Sequence, residues 1–323
     1  MKIIRWILLI LAVLVLLVVA AFFYYLYVPA IDPPELSGDY QSHSIKVDDI
    51  DRSFGFYLPK QLDVKPPLIF VLHGSNQPGD SMRKATGFEF ETLADQYGFI
   101  VVYPDGYQKH WNDCRASADY QANQKNIDDP AFFTAMISYF SETHSVDSER
   151  IFATGLSNGG HMAYRLALEL PDIFAAVAPM AANLPVDSNM DCQKSGRPIS
   201  IAVFNGTEDP INPYQGGRVK VGSNDSRGDV LSSHDTIGYW LGLAQINNEP
   251  ETRTHPEQDG DDSTSVREDR WLGNDGTQVR LYTLQGSGHV VPSRIVTFPR
   301  ILGKGAGDIS APQEIVNFFL GVE

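Results

Sequence analysis

The feature that most constrains this chain is the segment 155–160, which reads Gly-Leu-Ser-Asn-Gly-Gly. A β-branched and aromatic run, 150–154, precedes it, and a helical pattern of apolar residues follows over 161–170. A serine at such a sharp strand-to-helix turn exposes its Oγ, and flanking glycines are needed because a Cβ would collide with neighbouring backbone. We therefore predict a nucleophile elbow at Ser157. The alternative is a glycine-rich turn whose serine caps a helix.

A carboxylate follows a second predicted strand. Apolar residues run through 198–204, and the loop behind them contains Glu208 and Asp209 before a proline. Asp209 is the predicted acid that orients a catalytic imidazole and stabilises its cation, and Glu208 is the competing carboxylate. The alternative is that these residues only shape the turn and have no catalytic role, as aspartate often does before proline.

A histidine follows the last predicted strand, 279–284, in a glycine-containing loop. His289 is the predicted base, which takes the proton of Ser157 and returns it to the leaving group. For four other histidines, a surface or structural role is the simpler interpretation. These are His110, His144, His234 and His255. The chain order serine, carboxylate, histidine therefore predicts a triad of Ser157, Asp209 and His289.

The apolar run 67–72 predicts a central strand buried on both faces, with His73, Gly74 and Ser75 in the loop behind it. The backbone amides of Ser75 and of Asn158, which follows the nucleophile, are the predicted oxyanion donors. His73 is predicted to organise this loop by hydrogen bonding and not to act as a second base.

These segments resemble the polyhydroxybutyrate depolymerase and feruloyl esterase group of α/β-hydrolases, over about 45–320. The resemblance rests on the loop and elbow above and on further motifs: Trp111-Asn112-Asp113-Cys114, Ile127-Asp128-Asp129, the segment 209–217 and Gly288-His289. It implies a serine esterase of carboxylic esters that forms an acyl-enzyme and needs no metal or other cofactor. It also implies that Trp111 lines the acyl pocket, with a buried structural tryptophan as the alternative. Asp128 and Asp129 are predicted to cap the helix that follows them.

Predicted strands and helices alternate along the chain. This alternation predicts a single α/β domain, of the α/β-hydrolase fold that the resemblance implies, with a mostly parallel sheet and helices on both faces. The predicted strands are 67–72, 99–104, 150–154, 198–204 and 279–284, and the predicted helices are 130–144, 158–170, 231–246 and 313–320. The Gly-, Ser- and Asn-rich segment 214–233 is expected to be a mobile insertion near the site.

The N-terminal segment has a separate role. Trp6 to Val28 are 23 residues without a charge, and at about 1.5 Å per residue they span a bilayer core. Lys2 and Arg5 before them favour a cytoplasmic N-terminus. We expect a single-pass anchor at 1–28, a spacer at 29–40 and a periplasmic or extracellular catalytic domain at 41–323. The alternative is a cleaved signal peptide and a secreted enzyme.

Cys114 and Cys192 are the two cysteines. An even pair in an exported protein predicts a disulfide, with buried free thiols as the alternative. Neither cysteine has the spacing of a metal site, and the acidic stretch 257–262 lacks the twelfth-position glutamate of a calcium-binding EF-hand. We therefore expect no metal ion.

The formal net charge of −15 disfavours nucleic acids and anionic lipid surfaces as partners. The expected partners are an ester substrate and a membrane that the N-terminal segment enters. We recognise no polymer-binding module, so a soluble ester or oligomer is expected, either of hydroxyalkanoates or of hydroxycinnamoyl or acetyl groups. The alternatives are a serine peptidase and a non-catalytic binding protein of the same fold, although a binding protein does not need a complete triad.

Overall fold

The structure is a computed structural model that describes residues 2–258 and 260–322. Met1, Asp259 of the acidic stretch and Glu323 lie outside the described residues. The strands are β1 (Asp39–Val47), β2 (Ile50–Leu58), β3 (Leu68–Leu72), β4 (Ile100–Pro104), β5 (Ile151–Leu156), β6 (Ala176–Met180), β7 (Ser200–Gly206), β8 (Gly217–Arg218), β9 (Asp229–Val230), β10 (Glu251–Thr254), β11 (Ser265–Leu272) and β12 (Gln278–Gln285). The helices are α1 (Lys2–Tyr25), α2 (Ser81–Ala85), α3 (Glu89–Tyr97), α4 (Gln121–Gln124), α5 (Asp129–His144), α6 (Asn158–Glu169), α7 (Ser233–Leu243) and α8 (Ala311–Leu320).

Ten strands of the described chain form one sheet, in the order β1-β2-β4-β3-β5-β6-β7-β12-β11-β10. The inner strands from β4 to β12 pair in parallel. The outer strands on both sides pair antiparallel. This arrangement confirms the predicted mostly parallel α/β sheet, and it brings the loops after β3, β5, β7 and β12 to one edge, where ligands bind in open α/β sheets.

Strand β3 shows how the sheet is buried on both faces. Its residues are fully buried, and they alternate between two apolar clusters. Leu68, Phe70 and Leu72 pack with residues of α5, α6 and α7, whereas Ile69 and Val71 pack with residues of α2, α3 and α8. Burial of each such side chain contributes about 1.5–3 kcal/mol, so the inner strands and the helices on both faces form one rigid support for the edge loops.

All the predicted strands and helices are present, as β3, β4, β5, β7, β12 and α5 to α8. The largest boundary difference is at α7, predicted at 231–246 and observed at Ser233–Leu243. The outer strands were not predicted. In β1, for example, most side chains are exposed and polar, so the strand carries no continuous apolar run.

Helix α1 contains the predicted apolar segment. Its segment Ile3–Tyr25 has a mean hydropathy of 3.3 in its most apolar window, and none of that window is buried. At about 1.5 Å per residue, a helix of this length is long enough to cross a bilayer core.

The start of α5 corrects one prediction. Asp128 caps the helix as predicted, because its Oδ1 accepts from the amide of Ala131 at 2.9 Å. Asp129 instead forms a buried ion pair with Arg52 at 2.6 Å, and its Oδ2 accepts from the amide of Asn112 at 2.7 Å. Asp129 therefore joins α5 to β2 and to the loop that contains Trp111.

His73 connects two loops at the site edge, as predicted. Its Nδ1 lies 2.7 Å from the carbonyl oxygen of Gly74, and its Nε2 accepts from the amide of Gly106 at 2.9 Å. Burial lowers the pKa of His73 to about 4. The imidazole is therefore neutral at neutral pH, with its proton on Nδ1.

The predicted disulfide is formed: Cys114 and Cys192 are bonded, and their Cα atoms are 4.9 Å apart. The bond adds to main-chain pairing between the same two segments, in which the amide of Ala116 donates to the carbonyl of Asn189 at 2.8 Å. It therefore fixes the loop after Trp111 to the segment that follows β6.

We predict that acid destabilises this fold partly through His73. The unfolded chain binds a proton near the ordinary histidine pKa of about 6.5, whereas the folded chain does so only near pH 4. The contribution of neutral His73 is therefore complete above pH 6.5 and is lost as pH falls towards 4, by up to roughly 3 kcal/mol. Urea unfolding at pH 7 and pH 4.5 should show a smaller difference for His73→Gln than for the wild type. The exposed His234→Gln should behave as the wild type, and equal differences in all three proteins would contradict this role.

Removal of the disulfide should lower the free energy of unfolding. The bond closes a loop with a sequence separation of 78, and loss of such a bond costs about 2–5 kcal/mol. Cys114→Ser with Cys192→Ser should shift the urea midpoint downwards, and a reducing agent should shift the wild type by a similar amount without affecting the double variant. An unchanged midpoint in the double variant would show that the bond adds nothing to stability.

Candidate active site

Ser157 lies at the turn between β5 and α6, with φ 57° and ψ −115°. This backbone conformation is rare for a residue with a Cβ, and it is the strained turn expected of a nucleophile elbow. The turn is held from both sides, because the amide of Ser157 donates to the carbonyl of Met180 and its carbonyl accepts from the amide of His161, both at 2.9 Å.

The glycines around Ser157 allow this turn to pack against the sheet. A Cβ on Gly155 would lie 2.6 Å from backbone atoms of Gly159. A Cβ on Gly159 would lie 2.4 Å from the carbonyl oxygen of Leu72. Real Cβ atoms do not approach backbone so closely, so the predicted requirement for glycine at these positions is confirmed.

The structure brings His289 and Asp209 together. Nδ1 of His289 lies 2.7 Å from Oδ2 of Asp209, and both side chains are buried. Because a carboxylate only accepts hydrogen bonds, Nδ1 carries the proton of the neutral imidazole. Nε2 then has a lone pair that can accept a proton. The other oxygen of Asp209 accepts from the amides of Ile211 at 2.7 Å and Asn212 at 2.8 Å. Asp209, and not Glu208, therefore contacts the predicted base.

Ser157 and His289 line one cavity of about 300 Å³ at the edge of the sheet. Among the described residues, no hydrogen bond joins the two side chains. Catalytic hydrogen bonds often form only when substrate is bound, so the shared cavity is compatible with proton transfer from Ser157 to His289. The cavity is also lined by Ser75, Arg115, His161, Asn212, Val219, Val221 and Arg227.

The two predicted oxyanion residues come from separate elements. Ser75 follows β3 and lines the cavity, and its Oγ lies 3.0 Å from the hydroxyl of Tyr120. Asn158 is the first residue of α6, so its amide has no acceptor within the helix. Both residues thus adjoin the nucleophile, one in each of the two loops that meet there.

The side chain of Asn158 connects the elbow to the neighbouring loop. Its Oδ1 accepts from the amide of Trp111 at 2.8 Å. Its Nδ2 donates to Oδ2 of Asp113 at 2.6 Å and to the carbonyl of Trp111 at 3.2 Å. These bonds fix the helix end that carries the predicted oxyanion amide.

Trp111 does not line the cavity, which corrects the expectation that it contacts the acyl group. Its side chain is fully buried, and its Nε1 donates to the carbonyl of His73 at 3.0 Å. The ring packs against His73 and Phe133, with centroid distances of 4.9 and 5.7 Å. Trp111 is therefore part of the buried packing beneath the site, where it connects the loop after β3 to the elbow.

Sequence reasoning did not identify several residues of the cavity wall. Arg115 forms a buried ion pair with Asp113, at 2.5 Å between Nη2 and Oδ2. Burial alone would raise the pKa of Asp113, but the charge of Arg115 outweighs it and the pKa lies below its usual value. Arg227 lies in the predicted insertion 214–233, which therefore does adjoin the site. No local pattern marks these arginines, because only the folded chain brings them to the cavity.

Known proteins resemble this chain in sequence. The family model described as esterase PHB depolymerase matches residues 52–190. A putative esterase NocK from Nocardia uniformis subsp. tsuyamanensis is 26% identical over 261 residues, which are 79% of this chain and 74% of that protein. A feruloyl esterase B from Talaromyces funiculosus is 25% identical over 259 residues, which are 74% of this chain and 69% of that protein.

A solved structure shows the same fold. The acetyl xylan esterase from Aspergillus awamori has a TM-score of 0.55 and 19% identity, over 79% of this chain and 96% of that one. The sequence and fold comparisons confirm the predicted resemblance. This chain is a carboxylic ester hydrolase of the α/β-hydrolase fold, and it resembles the polyhydroxybutyrate depolymerase, feruloyl and acetylxylan esterases.

Proposed function

We propose that the chain hydrolyses its esters through an acyl-enzyme on Ser157. The observation that carries this proposal is the 2.7 Å contact between His289 and Asp209, in a cavity that His289 shares with a serine at a strained turn. A serine, an imidazole and a carboxylate in this relation are the elements of nucleophilic catalysis.

In the first half of the proposed reaction, Ser157 Oγ attacks the ester carbonyl carbon while Nε2 of His289 takes its proton. Asp209 accepts from Nδ1 and stabilises the imidazolium that forms. The amides of Ser75 and Asn158 donate to the oxyanion. The leaving alcohol takes the proton from Nε2 as the carbon–oxygen bond breaks. Water then attacks the acyl-enzyme by the same route and releases the acid.

The proposed substrates are soluble esters or oligomers of hydroxyalkanoates, or hydroxycinnamoyl or acetyl esters. The support is that the relatives of this chain include feruloyl esterases and probable acetylxylan esterases. A cavity of about 300 Å³ holds a short acyl or aryl group and not a folded protein segment.

We also propose that 1–28 anchors the enzyme in a membrane, that 29–40 is a spacer and that 41–323 is the exported catalytic domain. Helix α1 has no charged residue after Arg5, and disulfides such as the one between Cys114 and Cys192 persist in oxidising compartments. Leu36 packs against the apolar core, the hydroxyl of Ser37 donates to Asp95 at 2.6 Å, and β1 begins at Asp39. The folded domain therefore includes the last residues of the predicted spacer.

Ser157→Ala should abolish ester hydrolysis and labelling by a fluorophosphonate probe. Loss of the nucleophile of a triad lowers kcat by more than about 1,000-fold. The assay is hydrolysis of a p-nitrophenyl acyl series, methyl ferulate and hydroxybutyrate oligomers, with thermal unfolding to check the fold. Ser148→Ala, in the exposed turn before β5, is the matched control. Undiminished turnover by Ser157→Ala would rule out this nucleophile, and cleavage of peptides in preference to esters would favour a peptidase.

Cell fractionation tests the anchor. The full chain should sediment with membranes and resist alkaline carbonate, because about 23 apolar residues insert stably. A chain that begins at Leu36, which retains the contacts of Ser37, should stay in the soluble fraction. The mass of the mature protein separates the alternatives, since a loss of about the first twenty residues would show a cleaved signal peptide.

A further inference from the structure

Three buried side chains in the wall of the catalytic cavity have polar atoms that bind nothing within the described protein. These atoms are Nδ1 of His161, both amide atoms of Asn212 and Nη1 of Arg227. All three residues are more than nine-tenths buried. A buried polar group without a partner costs about 1–3 kcal/mol. All three residues line the same cavity, so a ligand bound there would be placed to supply the partners.

Arg227 determines the chemistry of that ligand. It is 6% exposed, and its Nε donates to the hydroxyl of Tyr120 at 2.7 Å. Among the described residues, no carboxylate pairs with it. The neighbouring Arg115 differs, because Asp113 neutralises it. Asp209 is likewise engaged with His289. Of the described residues in the cavity wall, Arg227 is therefore the cation without a counter-charge.

His161 supports this interpretation. Burial first, and then the charge of Arg115, hold its pKa well below the usual value, and the charge of Arg227 acts in the same direction. Its imidazole is therefore neutral at neutral pH. It provides a hydrogen-bonding group beside the two arginines without adding a second free charge.

A short chain of contacts places Arg227 near the reacting atoms. The Tyr120 hydroxyl that accepts from Arg227 lies 3.0 Å from Oγ of Ser75. Ser75 is the proposed oxyanion donor of the loop after β3. The cation therefore lies two hydrogen bonds from Ser75, whose amide is the proposed donor to the ester oxyanion. A group that binds this cation is accordingly joined to the ester carbonyl by a short linker.

We infer that Arg227, with His161 and Asn212, forms a carboxylate-binding subsite, and that the preferred substrates are esters with a free carboxylate a few bonds from the scissile carbonyl. A guanidinium binds a carboxylate through paired N–H donors, and desolvation strengthens this interaction. The class includes chain ends of hydroxy-acid oligomers, with the carboxylate in the alcohol half, and half-esters of dicarboxylic acids, with the carboxylate in the acyl half. The inference rests on the proposed esterase function.

Matched substrates test the inference on the full chain. The linear dimer of 3-hydroxybutyrate is compared with its terminal primary amide, and monomethyl glutarate with its amide analogue. Each pair differs only in the charge at one end. The acid should exceed the amide in kcat/KM by about 10- to 100-fold in at least one pair, mainly through KM, as expected for a hydrogen bond between charged groups. The pair that shows the preference identifies the half of the ester that carries the carboxylate.

Substitutions at the subsite should change the ratio of acid to amide. Arg227→Gln should bring the ratio close to one, whereas Arg227→Lys, which keeps the charge and loses the planar fork, should retain part of it. Tyr120→Phe removes the hydroxyl that accepts from Nε of Arg227, so it should also lower the ratio of acid to amide. This variant replaces Arg227→Gln in the test if Arg227→Gln does not fold. Thermal unfolding checks each variant.

The outcomes separate the two proposals. Ser157-dependent hydrolysis with equal rates for acid and amide would overturn the carboxylate subsite and leave the esterase mechanism intact. Without any Ser157-dependent hydrolysis, the esterase mechanism would fail, and calorimetric titration of the full chain with glutarate and with glutaramide would decide the subsite. Tighter binding of glutarate that Arg227→Gln removes would support it, and equal binding of the two ligands would overturn it.

Discussion

The buried carboxylate of Asp113 is the interaction on which the geometry of the site depends. Its oxygens accept from the Arg115 guanidinium and from the side chain of Asn158. Oδ2 thus holds the first turn of α6, which directly follows the nucleophile Ser157. The ion pair with Asp113 also fixes Arg115 in the cavity wall. If the Arg115 side chain alone were removed, the Asp113 carboxylate would remain buried without a counter-charge, which costs about 3–5 kcal/mol in comparable cases. The elbow and the wall are therefore connected through a single ionised group.

Much of the framework was predictable because local patterns determine it. The inner strands are continuous apolar runs, and such runs identify strands that are buried on both faces. The elbow was predictable because its glycines avoid collisions of a Cβ with backbone a few residues away and with the adjacent strand. His289 and Asp209 are in contact as their chain order suggested.

The remaining parts of the site depend on distant contacts. Trp111 was expected in the pocket, yet its indole N–H finds its acceptor on His73 behind the site. Arg227 interacts with Tyr120, which is 107 residues away along the chain. Loop residues have no periodicity that predicts which way a side chain points, so tertiary packing alone places them. The same holds for β1, whose exposed polar side chains resemble a loop in sequence.

The bond between Cys114 and Cys192 has a consequence for when the enzyme becomes competent. Cys114 follows Asp113 directly and precedes Arg115, so the cross-link is inserted into the segment that shapes both the elbow and the cavity. Thiols remain reduced in the cytosol and are oxidised outside it. With export as proposed above, the chain would complete this wall only after crossing the membrane, so that translocation would time the maturation of the pocket.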